Sequence, residues 1–330
     1  MPRPSWLSWL IGLGACAVGV LLTPERLMML GAMRQSLTHV NEMTRSLAQL
    51  EISVVRVLLV LTGLAIIFLA PRLEALARQP KIQPLLLPLP EGHEEFQRKL
   101  WTSALFIMLA FLCVGIASVY LHPEPPKVSV EDGPMEQFTA YSFFLASVVA
   151  FWIVWKRGFS IKSSFLVLMG AFFFFAAGEE ISWGQRIFAW DSPEVMLKYN
   201  VQGETNIHNM FGYLADHLFI AGAFAFGGLL PLVCARWPAL LRLLTRLGVP
   251  VGSVGLAVGV IAASLVHDWT IGRLGGPWIG FRSAEMREAL IGLSFLLLMI
   301  ETMRMQRLGT AVRALQPSRA TAQHASPHPG

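Results

Sequence analysis

Charge is what this chain has least of. Asp, Glu, Lys and Arg make up 14% of its 330 residues, where an ordinary soluble domain carries about 25%. Together with 54% apolar residues and a mean hydropathy of +0.55, that scarcity argues against a water-soluble globule or a disordered chain and points to an integral membrane protein. Cysteine is scarcer still: Cys16, Cys113 and Cys234 are far apart in or beside apolar runs. Neither a disulfide framework nor a cysteine-held metal cluster is expected from such spacing, and buried thiols are. His-Glu-x-x-His, Gly-x-Ser-x-Gly, the phosphate-binding Gly-rich loop and Cys-x-x-Cys are all missing, so no catalytic motif names a reaction. No internal repeat and no soluble domain of useful size is visible. The net charge of +5 calls for no nucleic acid, because loop charges that orient membrane spans account for it.

Long apolar runs are what the chain does have. Crossing about 30 Å of hydrocarbon takes about 20 residues, and about eight such runs occur, at 5–22, 52–70, 100–120, 138–155, 163–180, 209–233, 249–268 and 284–302. The expected fold is thus an all-α bundle of about eight transmembrane helices. The run at 249–268 is the weakest, and its Gly252, Gly255, Gly259, Ser253 and Ser264 suit close helix packing better than lipid contact. With the N-terminus cytoplasmic, the inside loops carry Arg72, Arg78, Lys156, Arg157, Lys162, Arg236, Arg242 and Arg246, and the tail adds Arg304 and Arg307. That bias matches the positive-inside rule. Both termini are then cytoplasmic, and the 181–208 loop with His267 and Asp268 faces the outside of a bacterial inner membrane.

Residues 24–51 repeat Leu27, Leu30, Met33, Leu37, Val40, Met43, Leu47 and Leu50 at three- and four-residue steps between polar positions, which predicts an amphipathic outer helix. The prolines of 80–95 predict an extended linker, and 121–137 a short outer loop. The polytopic domain is expected over 1–308, with 309–330 a disordered cytoplasmic tail. Leu13-Gly14-Ala15-Cys16 resembles a bacterial lipobox, but the apolar run continues to Leu22, as a retained spanning helix would. Most of the ten tryptophans flank spans, where interfacial anchoring explains them.

Two polar clusters interrupt this pattern. Gly178-Glu179-Glu180-Ile181-Ser182-Trp183-Gly184-Gln185-Arg186 follows an apolar run containing four consecutive phenylalanines, and Asn200-Val201-Gln202-Gly203-Glu204-Thr205-Asn206-Ile207-His208-Asn209 opens the next run. Carboxylates at such a place are expensive unless they face a cavity or partner. Glu179 and Glu180 point about 100° apart on a helix, so only one faces inward. Arg186 returns to the face of Glu179 if the helix continues, although Gly184 is positioned to break it. If 206–220 is helical, Asn206, Tyr213 and His217 share a face while His208 lies opposite His217, which disfavours one metal gripped by both from a single straight helix. The two clusters together resemble a signature of bacterial multi-pass membrane proteins for which no activity is established. That resemblance implies only that the two segments act together. The His-x-x-x-His helix of alkaline-ceramidase-like membrane hydrolases is absent.

The expected function is an inner-membrane enzyme acting on a lipid or lipid-linked substrate, by hydrolysis or group transfer, with membrane lipids as its partners. Glu179, Glu180, Arg186 and His208 are the catalytic candidates, carboxylate and imidazole for proton transfer and guanidinium for an anionic headgroup. Trp183, Gln185, Gln202, Glu204, Asn206 and Asn209 are candidates for substrate contact. His208, His217, His267 and Asp268 are candidate ligands for a divalent metal such as zinc. A proton-coupled transporter and a non-catalytic assembly scaffold are the alternatives.

Overall fold

The computed structural model describes residues 6–21, 63–80, 104–111, 133–200, 203–207, 213–266 and 283–315, together with the single positions 23, 26, 49, 53, 56, 57, 59–61, 82, 113 and 209. Most of the expected amphipathic helix at 24–51, of the 80–95 linker and of the 121–137 loop lies outside them. Among the described residues all regular structure is helical. Three helical stretches among the described residues are long and apolar enough to cross a membrane: Pro134–Arg157, Ile161–Glu180 and Leu218–Ala235.

Helix α1 (Trp6–Leu21) continues past Cys16 without a break, as the apolar run requires. It packs against the segment that ends in a π-helical stretch (Ala65–Leu69) and helix α2 (Ala70–Ala77). The approach is close because both sides lack side chains: a Cβ on Gly12 would come within 2.8 Å of the Gly63 carbonyl oxygen. In lipid, where apolar surface gains little by leaving hydrocarbon, such small-residue contacts are what hold helices together. The Cys16 thiol donates to Val60 O at 3.6 Å and Arg56 Nε–H to Gly19 O at 3.0 Å.

The centre is built from α3 (Pro134–Arg157), α4 (Ser164–Glu180) and α11 (Ser283–Leu315), introduced here with α5 (Gln185–Phe188), α6 (Glu194–Tyr199), α7 (Tyr213–Ala223), α8 (Leu230–Arg236), α9 (Pro238–Leu247) and α10 (Val254–Ser264). The short turn from Gly158 to Ser163 makes α3 and α4 antiparallel neighbours. Gly158 has φ 78°, a conformation that costs glycine nothing. Ser147 Oγ–H donates across to Gly170 O at 2.8 Å, a buried polar tie between the two helices. Phe143, Phe173, Phe219 and Phe295, from α3, α4, α7 and α11, meet with ring centroids 5.1–6.3 Å apart. Each such pair adds about 0.5–1.5 kcal/mol beyond simple burial. Of the four consecutive phenylalanines only Phe173 is buried, while Phe172, Phe174 and Phe175 face outward.

Helix α11 lies at the middle of the bundle, with Met286, Ala289, Leu290, Ile291 and Met299 fully enclosed. It runs on to Leu315, beyond the expected span end at 302 and into the segment expected to be tail. The expected span at 249–268 contains a helix of only 11 residues, α10, about 16 Å at 1.5 Å per residue. Polar groups of α11 hold both of its ends. Glu301 accepts from Ser253 N–H and Oγ–H, each at 2.7 Å, and Arg287 Nη1–H donates to Val266 O at 3.5 Å. Ser253 in turn accepts from Leu256 N–H at 3.2 Å and so caps α10.

Basic side chains gather at one end. Helix α9, which carries Arg242 and Arg246, packs on the Ile161–Ser163 turn that holds Lys162 and on α2, which holds Arg72. Lys156 lies over the rings of Trp152 and Trp155, 4.9 and 5.2 Å from their centroids, an arrangement suited to a membrane–water boundary. The two clusters around Glu179 and Asn206 lie at the opposite end of α4.

Candidate functional site

Helix α4 stops where the sequence changes from phenylalanine to Gly178-Glu179-Glu180. Beyond Glu180 the backbone turns left-handed at three successive residues, Ser182 (φ 46°), Trp183 (φ 55°) and Gly184 (φ 80°). For the two that carry a Cβ this costs about 1–2 kcal/mol each. The turn ends the helix, so the continuous face that would have joined Glu179 to Arg186 does not form. Arg186 instead begins anew within α5, and its side chain is outside the description.

The strain is offset by what the turn brings together. Trp183 folds back over α4 and donates Nε1–H to Glu179 Oε1 at 2.7 Å. Its ring lies edge-on to Phe174 and Phe175. Gly178 makes room for it, since a Cβ there would come within 2.8 Å of the indole. The other Glu179 oxygen accepts from Ile207 N–H at 2.6 Å. With both oxygens engaged and only 4% of its surface exposed, Glu179 pins the second cluster onto the end of α4. Hydrogen bonds to a charged acceptor contribute about 1.5–3 kcal/mol each.

A second group surrounds Ser182. Its Oγ–H donates to Glu204 Oε2 at 2.6 Å, and it accepts from Asn206 Nδ2–H at 3.0 Å. The same Asn206 amide donates to Glu204 Oε2 at 3.0 Å. Asn200 Nδ2–H donates to Asn206 Oδ1 and O at 2.7 and 2.8 Å. Asn206 is 2% exposed and lies in a loop rather than on a helix. Helix α7 is described from Tyr213, and Asn206 is not helical, so the expected shared face of Asn206, Tyr213 and His217 lacks its first member. The reason is local: an asparagine whose side chain bonds nearby backbone and carboxylate groups competes with helix formation.

A third group closes the loop between the clusters. Gln185 Nε2–H donates to Ser192 Oγ at 2.8 Å, and Gln185 Oε1 accepts from Thr205 N–H at 2.7 Å. Ser192 Oγ–H donates to Gly203 O at 2.7 Å, and Thr205 Oγ1 is 3.2 Å away. Glu179, Trp183, Gln185, Glu204 and Asn206, predicted separately, are therefore one assembly. Ser182, Ser192, Asn200 and Thr205 complete it. Ser192 gave no signal in the sequence, because an isolated serine near a proline reads as loop.

Glu180 and Asn209 are half-buried beside this assembly. Gln202, His208, His267 and Asp268 lie outside the described residues, and of His217 only the backbone placement on α7 is described. Among the described residues no group of three or more His, Cys, Asp or Glu side chains is arranged to hold a metal ion. The Glu301–Ser253 clasp was missed by a reading confined to the polar clusters. Its signal was present, an acid standing alone after the run Leu296-Leu297-Leu298-Met299-Ile300.

Chemically, the site is a carboxylate-centred frame that fixes two loops at the end of a helix bundle and leaves Glu180 next to the fixed residue. Comparison of the chain with protein-family models, with curated proteins and with solved structures finds no match.

Proposed function

We propose that the protein is a bacterial inner-membrane enzyme whose polar site at the Glu179 end of α4 faces the periplasm and acts on a lipid or lipid-linked substrate by hydrolysis or group transfer. The observation that carries this reading is the buried Glu179 network, in which a strained left-handed turn is held by hydrogen bonds at the mouth of an apolar helix. Strained backbone persists only where surrounding contacts over-determine it, and such places concentrate at functional sites. The basic residues Lys162, Arg242 and Arg246 toward the other end of α4 support a cytoplasmic location for that end; about eight spans with both termini cytoplasmic is the topology that goes with this reading.

Within this reading Glu179 is a positioning residue, because its two oxygens are engaged by Trp183 and Ile207. Glu180, about 100° further round the helix, is the proton acceptor or donor. Arg186 pairs with an anionic headgroup, while His208, His267 and Asp268 orient a water or hold a divalent ion. The test is incubation of the purified protein in vesicles of bacterial polar lipids, with lipid species followed by mass spectrometry. Conversion by the wild type and its loss in Glu180→Gln, with unfolding temperature unchanged, is the expected result. Elemental analysis of the same samples tests the metal-assisted form.

A second reading is favoured by the closure of the network itself: a non-catalytic membrane scaffold, in which the assembly is purely a lock. Glu180→Gln would then alter neither lipid composition nor any turnover, and Glu179→Gln would lower stability alone.

A further inference from the structure

The loop that returns from α4 is inside out by the standards of a loop in water. Its polar side chains Gln185 and Ser192 turn inward, to each other and to Gly203 and Thr205. Its large apolar side chains turn outward: Ile187 is 71% exposed, Phe188 69%, Trp190 42%, Val195 59% and Leu197 60%. Nor is this a loose array. Phe188 and Trp190 stack with centroids 5.5 Å apart and planes 16° from parallel. Ala189 between them adopts a left-handed φ of 53°, a conformation disfavoured for any residue with a Cβ. The backbone is strained here to present a paired aromatic surface.

We propose that residues 187–197 are an interfacial anchor, with Ile187, Phe188, Trp190, Val195 and Leu197 seated at the headgroup–acyl boundary of the leaflet at the Glu179 end of α4. The occupant is phospholipid, and continuity argues for it. Leu168, Phe172 and Phe175 form one outward stripe on α4, four and three residues apart, and all are exposed. That stripe belongs to a helix long and apolar enough to cross a membrane; Trp183 packs edge-on to Phe175 at its end, and the Phe188 ring lies against the adjoining Gly184. Aromatic and aliphatic side chains with a charged rim are the composition such a depth selects. Asp191, Glu194 and Lys198, also exposed, supply that rim. Because Gln185 and Ser192 tie the base of the anchor to Gly203 and Thr205, the anchor fixes the Glu179 network at headgroup level. The inference does not depend on whether the network is catalytic.

The test is site-directed spin labelling of Phe188→Cys and Leu197→Cys, with Asp191→Cys as reference, in a chain whose Cys16, Cys113 and Cys234 are replaced by alanine. The protein is reconstituted in phosphatidylethanolamine–phosphatidylglycerol vesicles. Collision with oxygen should exceed collision with a water-soluble nickel chelate at 188 and 197, and the order should reverse at 191. Nickel access at 188 and 197 equal to that at 191 would overturn the anchor. So would exclusion of both reagents, which means that protein covers the patch. A second measurement keeps the native cysteines: Phe188→p-benzoylphenylalanine should form lipid adducts on illumination in the same vesicles. Protein adducts alone, or no adduct, would overturn the proposal.

Discussion

Two buried glutamates hold this molecule together at opposite ends, in different ways. Glu301 stands on a long straight helix and receives everything it needs from a single residue, Ser253, whose N–H and Oγ–H both donate to it at 2.7 Å. Glu179 stands at a helix end and gathers donors from residues four and 28 positions away, through a backbone that must turn left-handed at Ser182 and Trp183. The first is a helix cap supplied by a neighbour, and its geometry is common and unstrained. The second is specific, strained and surrounded by further tied loops. Burial of a carboxylate is therefore common to both ends. What distinguishes Glu179 is the conformational strain maintained around it.

That contrast is open to attack by substitution. The largest effect is expected for Glu179→Ala, which leaves the Trp183 indole N–H and the Ile207 N–H without their acceptor. At about 1–3 kcal/mol per orphaned buried group, the loss is roughly 2–6 kcal/mol, read as a lowered unfolding midpoint in detergent and a change in tryptophan emission. Glu301→Ala should cost less, about 1–3 kcal/mol, because the Ser253 N–H is the one fixed donor it leaves without an acceptor, while the rotatable Ser253 hydroxyl still accepts from Leu256 N–H. An equal or greater loss there would erase the distinction drawn between the two sites. The smallest effect is expected for Ala189→Gly, which relieves a left-handed φ at about 1–2 kcal/mol while adding about 0.5–1 kcal/mol of chain entropy. The net should range from about neutral to stabilising by about 1.5 kcal/mol, and a destabilised protein would mean that the turn is not strained as described.

The apolar runs at 138–155 and 163–180 were readable because hydrocarbon thickness sets a length that composition alone can meet. They correspond to Pro134–Arg157 and Ile161–Glu180. The run at 249–268 is the weakest of the eight in the sequence, its glycines and serines pointing to close packing. The described helix within it is the 11-residue α10, which Ser253 caps and Glu301 holds. The residue types of the polar network were legible too, since Glu179, Trp183, Gln185, Glu204 and Asn206 all stood out as polar or aromatic groups at a membrane boundary. Their pairing was not. It depends on left-handed turns at Ser182 and Trp183, which carry no glycine to announce them, and on Asn206 leaving the helix that periodicity had offered it.

The separation between Glu179 and Ile207 also sets a schedule. A chain made at about 5–20 residues per second delivers the end of α4 roughly 1.5–6 seconds before the residue that completes its clasp, 28 positions later. The α3–α4 hairpin therefore meets the insertion machinery with its acidic terminus still waiting for the returning loop. Biogenesis of this end of the protein is thus ordered in time, with helix entry first and the polar clasp closing behind it.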